Sequence, residues 1–237
     1  MHYETLSYDA DGVSLRSQLI FDPAPGPRAG ILVFPEAFGL DAAAIGRAER
    51  LAALGYVALA CDLHGDGLVI DDLQDAMARL QPLFDNPMRT RDRACGALRA
   101  MTERPEVDST RIGAIGSCFP MSIELARSGA AIRAAVGFHT SLATKDPART
   151  PGQIKAGVLV CIGAEDPFIT ATDRSAFESE MRGVGAEWEL NLFGGTVHSF
   201  TNKEAANRHM PEAIRYNPVA DTRAWSSAME FLSAHLS

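Results

Sequence analysis

The chain has 237 residues, 46% hydrophobic and 22% charged, which is enough apolar material for a sizeable core. A formal net charge of −8 with no Lys/Arg run argues against nucleic acid as a partner, since nothing in the sequence would neutralise phosphates. No stretch approaches the roughly 18 apolar residues of a membrane span, and Met-His-Tyr-Glu-Thr at the start carries no secretory pattern. Cys61, Cys95, Cys118 and Cys161 lie scattered without a Cys-x-x-Cys pair, which suits a reducing compartment, so a cytoplasmic location is expected.

In chain order, Val13–Ile20 mixes β-branched and polar positions and predicts a half-exposed strand near a sheet edge. A Pro-rich connector leads to the buried-type strand Gly30–Phe34, then to a loop, Pro35-Glu36-Ala37-Phe38-Gly39. Ala42–Leu54 has helical spacing and stops at Gly55, and Tyr56–Cys61 is the next buried strand, ending in Asp62-Leu63-His64-Gly65. Asp71–Leu80 and Thr90–Thr102 read as helices separated by Pro82 and Pro87. Strands follow at Arg111–Ile115, Ala134–Phe138, Val158–Ile162 and Trp188–Phe193, with helices at Met121–Arg127, Thr172–Met181 and Asp221–His235. This alternation predicts an α/β fold, one domain over residues 1–237, with a mainly parallel central sheet and helices on both faces.

The stretch Arg111–Pro120 runs from an apolar strand through Gly116-Ser117-Cys118 into a helix. A nucleophile at such a corner stands clear of the sheet, above a helix N-terminus whose positive end favours a thiolate. Functional groups in such sheets collect at the carboxyl ends of the strands. Four loops there carry chemistry-bearing residues: Glu36-Ala37, Cys118-Phe119, Asp166 and His198. The order nucleophile, acid, histidine is that of α/β-hydrolases, with Cys in place of Ser. Cys118 thus reads as nucleophile, against the plainer alternative of a buried structural thiol, while Cys61 and Cys161 lie inside strand runs and read as core. His139 ends a strand at the same edge and reads equally as pocket lining or as a structural histidine. Asp62, His64 and Asp66 match no metal-ligand spacing, and neither a metal nor another cofactor is expected.

Phe34-Pro35-Glu36-Ala37-Phe38-Gly39, Asp62-Leu63, Gly116-Ser117-Cys118, Gly163-Ala164-Glu165-Asp166 and Gly195-Thr196-Val197-His198-Ser199-Phe200 together resemble the dienelactone hydrolase family along nearly the whole chain. The resemblance implies an α/β-hydrolase fold with Cys118 as nucleophile, His198 as base and Asp166 as the orienting acid. It also implies an oxyanion hole from the N–H groups of Ala37 and Phe119. Glu36, His139 and Phe38 are expected to modulate the nucleophile or line the substrate site, with Glu36 implied to lie against the nucleophile and help control its ionisation.

The expected function is hydrolysis of a small-molecule ester or lactone through a thioester acyl-enzyme. Two departures from the family pattern bear on it. Pro120 stands where the family elbow has glycine, next to Phe119 and its implied oxyanion N–H. Asn202 stands where members that open dienelactones have an arginine for the substrate carboxylate, so a neutral ester or lactone is at least as well matched as an anionic lactone. The departures keep a second reading open, a catalytically weakened homologue that binds a small molecule. The sequence leaves the oligomeric state open between monomer and homodimer.

Overall fold

The computed structural model describes residues 1–237. Its strands are β1 (His2–Ala10), β2 (Val13–Phe21), β3 (Arg28–Phe34), β4 (Val57–Ala60), β5 (Val107–Ser117), β6 (Ala134–Phe138), β7 (Gly157–Gly163) and β8 (Trp188–Phe193). Its helices are α1 (Ala42–Ala53), α2 (Leu73–Asp85), α3 (Pro87–Thr102), α4 (Met121–Arg127), α5 (Ala171–Val184) and α6 (Pro218–Leu236). All eight strands join one sheet in the order β1-β2-β4-β3-β5-β6-β7-β8. The six strands from β4 to β8 in that order are parallel, whereas β1 and β2 run antiparallel at one edge.

Helices cover both faces. On one face α1 and α6 bury Ala48, Leu51, Ala224, Ala228 and Leu232 against the sheet. On the other, α2 to α5 contribute Leu80, Ala97, Ile123 and Phe177 to a larger cluster. Coverage on both sides is why β4, β6 and β7 are buried at every position and read as unbroken apolar runs.

The structure departs from the sequence reading in two places. Residues 2–10, left unassigned there, form the edge strand β1, whose alternating exposure reflects one face turned to water. It joins β2 through Asp11-Gly12, both with positive φ (53° and 69°), a two-residue hairpin turn whose twist matches the flanking strands. Pro82 does not end α2, which runs on to Asp85. The proline and Ala78, whose carbonyl loses its intrahelical donor, are both exposed, so water hydrates that oxygen. Pro87, by contrast, opens α3, where a missing N–H costs nothing. No helix is long and apolar enough to cross a membrane.

A buried ion network fixes α4 and the segment after β6. Arg127, fully buried, bonds Glu124 at 2.8 Å and Glu180 at 2.7 Å, and donates to the Leu142 carbonyl at 2.9 Å. Arg91 bridges Glu124 at 2.8 Å and Asp146 at 2.6 Å, and Glu180 also accepts the Ala148 N–H. Replacing Arg127 with leucine leaves buried Glu180 without a cation and Glu124 with Arg91 alone, and is expected to cost about 3–5 kcal/mol of stability. Lys145→Ala, which removes an exposed partner of Asp85, is expected to leave the unfolding midpoint unchanged. Urea denaturation of both variants checks the contrast.

Candidate active site

Parallel strands bring their carboxyl ends to one edge, and the loops that leave β3, β5, β7 and β8 there meet around a cavity of about 360 Å³. At the centre β5 turns sharply at Cys118, which takes a left-handed φ of 61°, and the chain re-enters helix at Met121. Three backbone bonds hold this corner: Cys118 N–H to the Phe138 carbonyl at 3.2 Å, Ser141 N–H to the Cys118 carbonyl at 3.0 Å, and Phe119 N–H to the Ser117 carbonyl at 2.7 Å. The last closes a three-residue turn across Cys118, a strained conformation that the surrounding contacts must sustain. Gly116 is required here, because a Cβ would approach Ser122 Oγ to 2.7 Å, and Ser122 in turn anchors α4 to the Val136 carbonyl.

Pro120 occupies the cap position before α4 (φ −80°, ψ 25°), and its carbonyl accepts the Glu124 N–H at 2.8 Å. Its missing N–H therefore falls where helices have no intrahelical partner to lose.

Asp166 and His198 come from the loops after β7 and β8. Gly163 lets these loops touch, since a Cβ there would lie 2.2 Å from the Thr196 carbonyl. Glu165 then binds Thr196 twice, N–H to carbonyl at 3.1 Å and carboxylate to N–H at 3.0 Å. His198 donates its Nδ1–H to Asp166 Oδ2 at 2.7 Å, and both residues are buried. Asp166 Oδ1 is held by the Phe168 N–H at 2.9 Å. Burial opposes a charge on His198, but the Cys118 sulfur and the Asp166 hydrogen bond outweigh it and lift the imidazole to about 10. Cys118 and His198 both line the cavity. Cys118 is partly exposed, whereas burial pushes the Cys61 thiol up and the Cys161 thiol up to about 12.

Ala37 lines the same cavity, and its N–H makes no hydrogen bond within the protein. Its carbonyl accepts Nε2–H of His64 at 2.8 Å, which fixes the peptide plane. His64 and Asp62 thus buttress this loop, the Asp62 carboxylate accepting the backbone N–H groups of Arg16, His64, Gly65 and Gly67.

Phe38 lines the cavity, whereas Glu36 and His139 do not, which leaves Glu36 the modulating role and His139 the modulating or structural role that the sequence also offered. Both are buried behind the loops. Glu36 accepts Asn202 Nδ2–H at 3.1 Å and Ser199 Oγ–H at 3.5 Å. Burial pushes its carboxyl above the usual range, opposed by Asn202, Arg47 and His198. His139 stands edge-on to His198 with ring centroids 5.1 Å apart, and burial together with the charges of His198 and Arg47 holds it well below its ordinary value.

Other contributors gave no signal in the sequence. The wall of the cavity is apolar and comes largely from α2, through Leu73, Met77, Leu80 and Phe84. Arg208 also lines it, stacked 3.3 Å over Phe38 and donating to the Asp71 carbonyl at 3.2 Å. Arg47 lies behind the corner on α1 and bonds Ser117 and Thr201. On paper Arg47, Glu49 and Arg50 form a charged helix face like any other.

A model of the dienelactone hydrolase family matches residues 17–236. A Bradyrhizobium sp. protein with the name "Probable 2-oxo-3-(5-oxofuran-2-ylidene)propanoate lactonase" is 26% identical over 252 residues, covering 100% of this chain and 98% of that protein. A solved structure named m3DLH superposes with a TM-score of 0.93 at 39% identity, covering 100% of this chain and 99% of its own. The structure of a dienelactone hydrolase-like promiscuous phosphotriesterase from metagenomic libraries gives a TM-score of 0.94 at 37% identity with the same coverage. The chain belongs to the dienelactone hydrolase family and is a hydrolase of the ester- and lactone-cleaving kind.

Proposed function

We propose that the protein hydrolyses small neutral esters or lactones through a Cys118–His198–Asp166 triad and a thioester intermediate. The observation that carries this is the buried imidazole of His198, bonded to Asp166 on one side and raised by the Cys118 sulfur on the other, at the floor of an apolar cavity. The Cys118 thiolate adds to the substrate carbonyl carbon and the carbonyl π electrons move to oxygen. Ala37 N–H is free to meet that oxyanion, and a well-placed donor of this kind contributes about 3–4 kcal/mol. Collapse expels the alkoxide, which takes the proton from His198 and leaves the acyl group on sulfur. A water molecule then gives a proton to His198 as its oxygen attacks the thioester. The second collapse releases the acid and restores the thiolate.

Phe119 N–H is the second donor of this reading, and it reaches the oxyanion as its turn opens away from the Ser117 carbonyl. That turned-back N–H is also the observation that favours the second reading, a weakened homologue that binds a small molecule without consuming it. The lactonase name borne by the Bradyrhizobium relative supports lactones as substrates, and the phosphotriesterase relative makes a phosphotriester a useful member of any substrate panel. The apolar wall and the engagement of Arg208 with Phe38 and Asp71 support a neutral acyl group.

Rapid quenching of a reaction with p-nitrophenyl butyrate is expected to leave a butyryl group on the Cys118 peptide. Turnover is expected to vanish in Cys118→Ala and persist in Cys61→Ala. A ligand that stabilises the protein in a thermal melt without being hydrolysed, and with no acyl adduct at Cys118, would favour the binding reading instead.

Acyl-chain length probes the wall. Each added methylene from acetate to butyrate is expected to raise kcat/KM about fourfold, the equivalent of about 0.8 kcal/mol of burial. Leu80→Asp is expected to abolish the trend.

NMR titration of His198 is expected to show a midpoint near 10, falling in Cys118→Ala as the sulfur's contribution is lost. The sign for stability follows. The contribution of protonated His198 is complete below the unfolded-state value of about 6.5 and is lost as pH rises toward 10.

A further inference from the structure

Arg47 differs from the other inward-facing arginines. Arg91, Arg93 and Arg127 each have a carboxylate within 3 Å, whereas Arg47 has none within bonding range. Its guanidinium instead lies 5.2 Å from the centre of the Phe138 ring and spends its two terminal nitrogens on hydroxyls. One donates to Ser117 Oγ, on the residue before Cys118. The other donates to Thr201 Oγ1 at 3.0 Å, three residues past His198. A half-buried cation with no paired anion has given up part of its hydration without an ion pair to offset it, so its two hydroxyl contacts must account for its place.

We propose that Arg47 is a positioning residue for acyl transfer, clamping the strand end that presents Cys118 to the loop that presents His198 while placing a permanent positive charge behind Glu36. The inference rests on the Cys118–His198 reading given above. A guanidinium is a rigid planar fork, so two bonds from it fix a spacing that a lysine, with one rotatable ammonium, does not reproduce. The clamp also orders its neighbours. Arginine only donates, so Thr201 Oγ1 accepts from it and keeps its own proton for His139 Nε2, 2.9 Å away. That bond holds the His139 ring, which in turn stands edge-on against His198.

The charge acts on Glu36. The groups that bear on this carboxyl are Asn202 and Ser199 by hydrogen bond, Arg47 and His198 by attraction, and Asp41 by repulsion, with His139 3.8 Å from its Oε1. Asp41 and Asp221 attract Arg47 itself, and Arg50 repels it. Within this set Arg47 supplies a positive charge that does not depend on the protonation of a histidine.

The test compares kcat, KM and the pH dependence of Cys118 alkylation by iodoacetamide in wild type, Arg47→Met, Arg47→Lys, Thr201→Val and Ser117→Ala, each checked for folding by thermal melt. Arg47→Met is expected to lower kcat on the order of 10-fold to 100-fold, the scale of an ångström-level misplacement, with KM for a neutral ester little changed. Its alkylation profile is expected to move toward higher pH. Arg47→Lys should restore the profile but not kcat. In a Glu36→Gln background, Arg47→Met should no longer move the profile. Thr201→Val and Ser117→Ala each cut one arm of the clamp and carry the spacing test if Arg47→Met does not fold; in the Arg47→Met background they should add no further loss. Folded variants with wild-type kcat and profile would overturn the proposal, as would effects of Arg47 and Thr201 that multiply independently. A wild-type protein that neither hydrolyses ester nor alkylates at Cys118 removes the underlying reading itself, a result distinct from wild-type catalysis indifferent to Arg47.

Discussion

The 2.7 Å hydrogen bond from His198 to Asp166 is the constraint on which the rest of the site depends. It fixes the orientation of the imidazole and turns the ring's other nitrogen away from Asp166. It can form only because two separate strand-to-helix loops lie in contact, which the missing side chain at Gly163 allows and the paired bonds between Glu165 and Thr196 maintain. Behind both stands the register of β7 with β8, where Gly163 pairs with Phe193 and so sends the two loops out at one level. A slip of one residue there would turn every side chain on β8 to the opposite face.

Around that bond the molecule divides into two media. Toward solvent lies a cavity walled by leucine, methionine and phenylalanine, an apolar setting that strengthens any polar contact made within it. Beneath it lies a polar layer in two hydrogen-bonded groups, Ser117, Arg47, Thr201 and His139 in one and Glu36 with Asn202 in the other, which meet where His139 comes within 3.8 Å of Glu36. The polar layer accounts for the position of Asn202. At the place where dienelactone-opening relatives were expected to carry an arginine, this chain holds Glu36 with a neutral amide, and the nearby positive charge comes from α1 instead.

Much of the fold was legible because the parallel strands are covered on both faces, so their sequences are plain apolar runs. β6, β8 and α4 agree with their sequence-derived bounds to the residue. What failed did so for local reasons. β1 is half-solvated and polar, so its alternation is faint. Pro82 reads as a terminator in any one-dimensional scan, because exposure of the carbonyl it orphans is a tertiary fact. For the site, the residues at strand ends (Cys118, Asp166, His198 and Ala37) carry their meaning in their position after an apolar run. Arg47 and Arg208 do not, since a helical arginine reads as a solvated face until the neighbouring loops are in place. Glu36 and His139 were read to the correct edge of the sheet with their side left open, because a sequence gives the end of a strand and not the depth of a side chain.

Six residues other than glycine adopt positive φ, and Cys118, His139 and Ser199 among them crowd into this one corner. Each such conformation costs on the order of 1–3 kcal/mol and persists only where its surroundings over-determine it. The molecule is therefore unevenly robust. Its margin resides in the apolar packing on both faces of the sheet, while the corner itself draws that margin down. Mutational tolerance anywhere in the chain is in this sense borrowed from the same reserve that keeps one sulfur in an awkward posture.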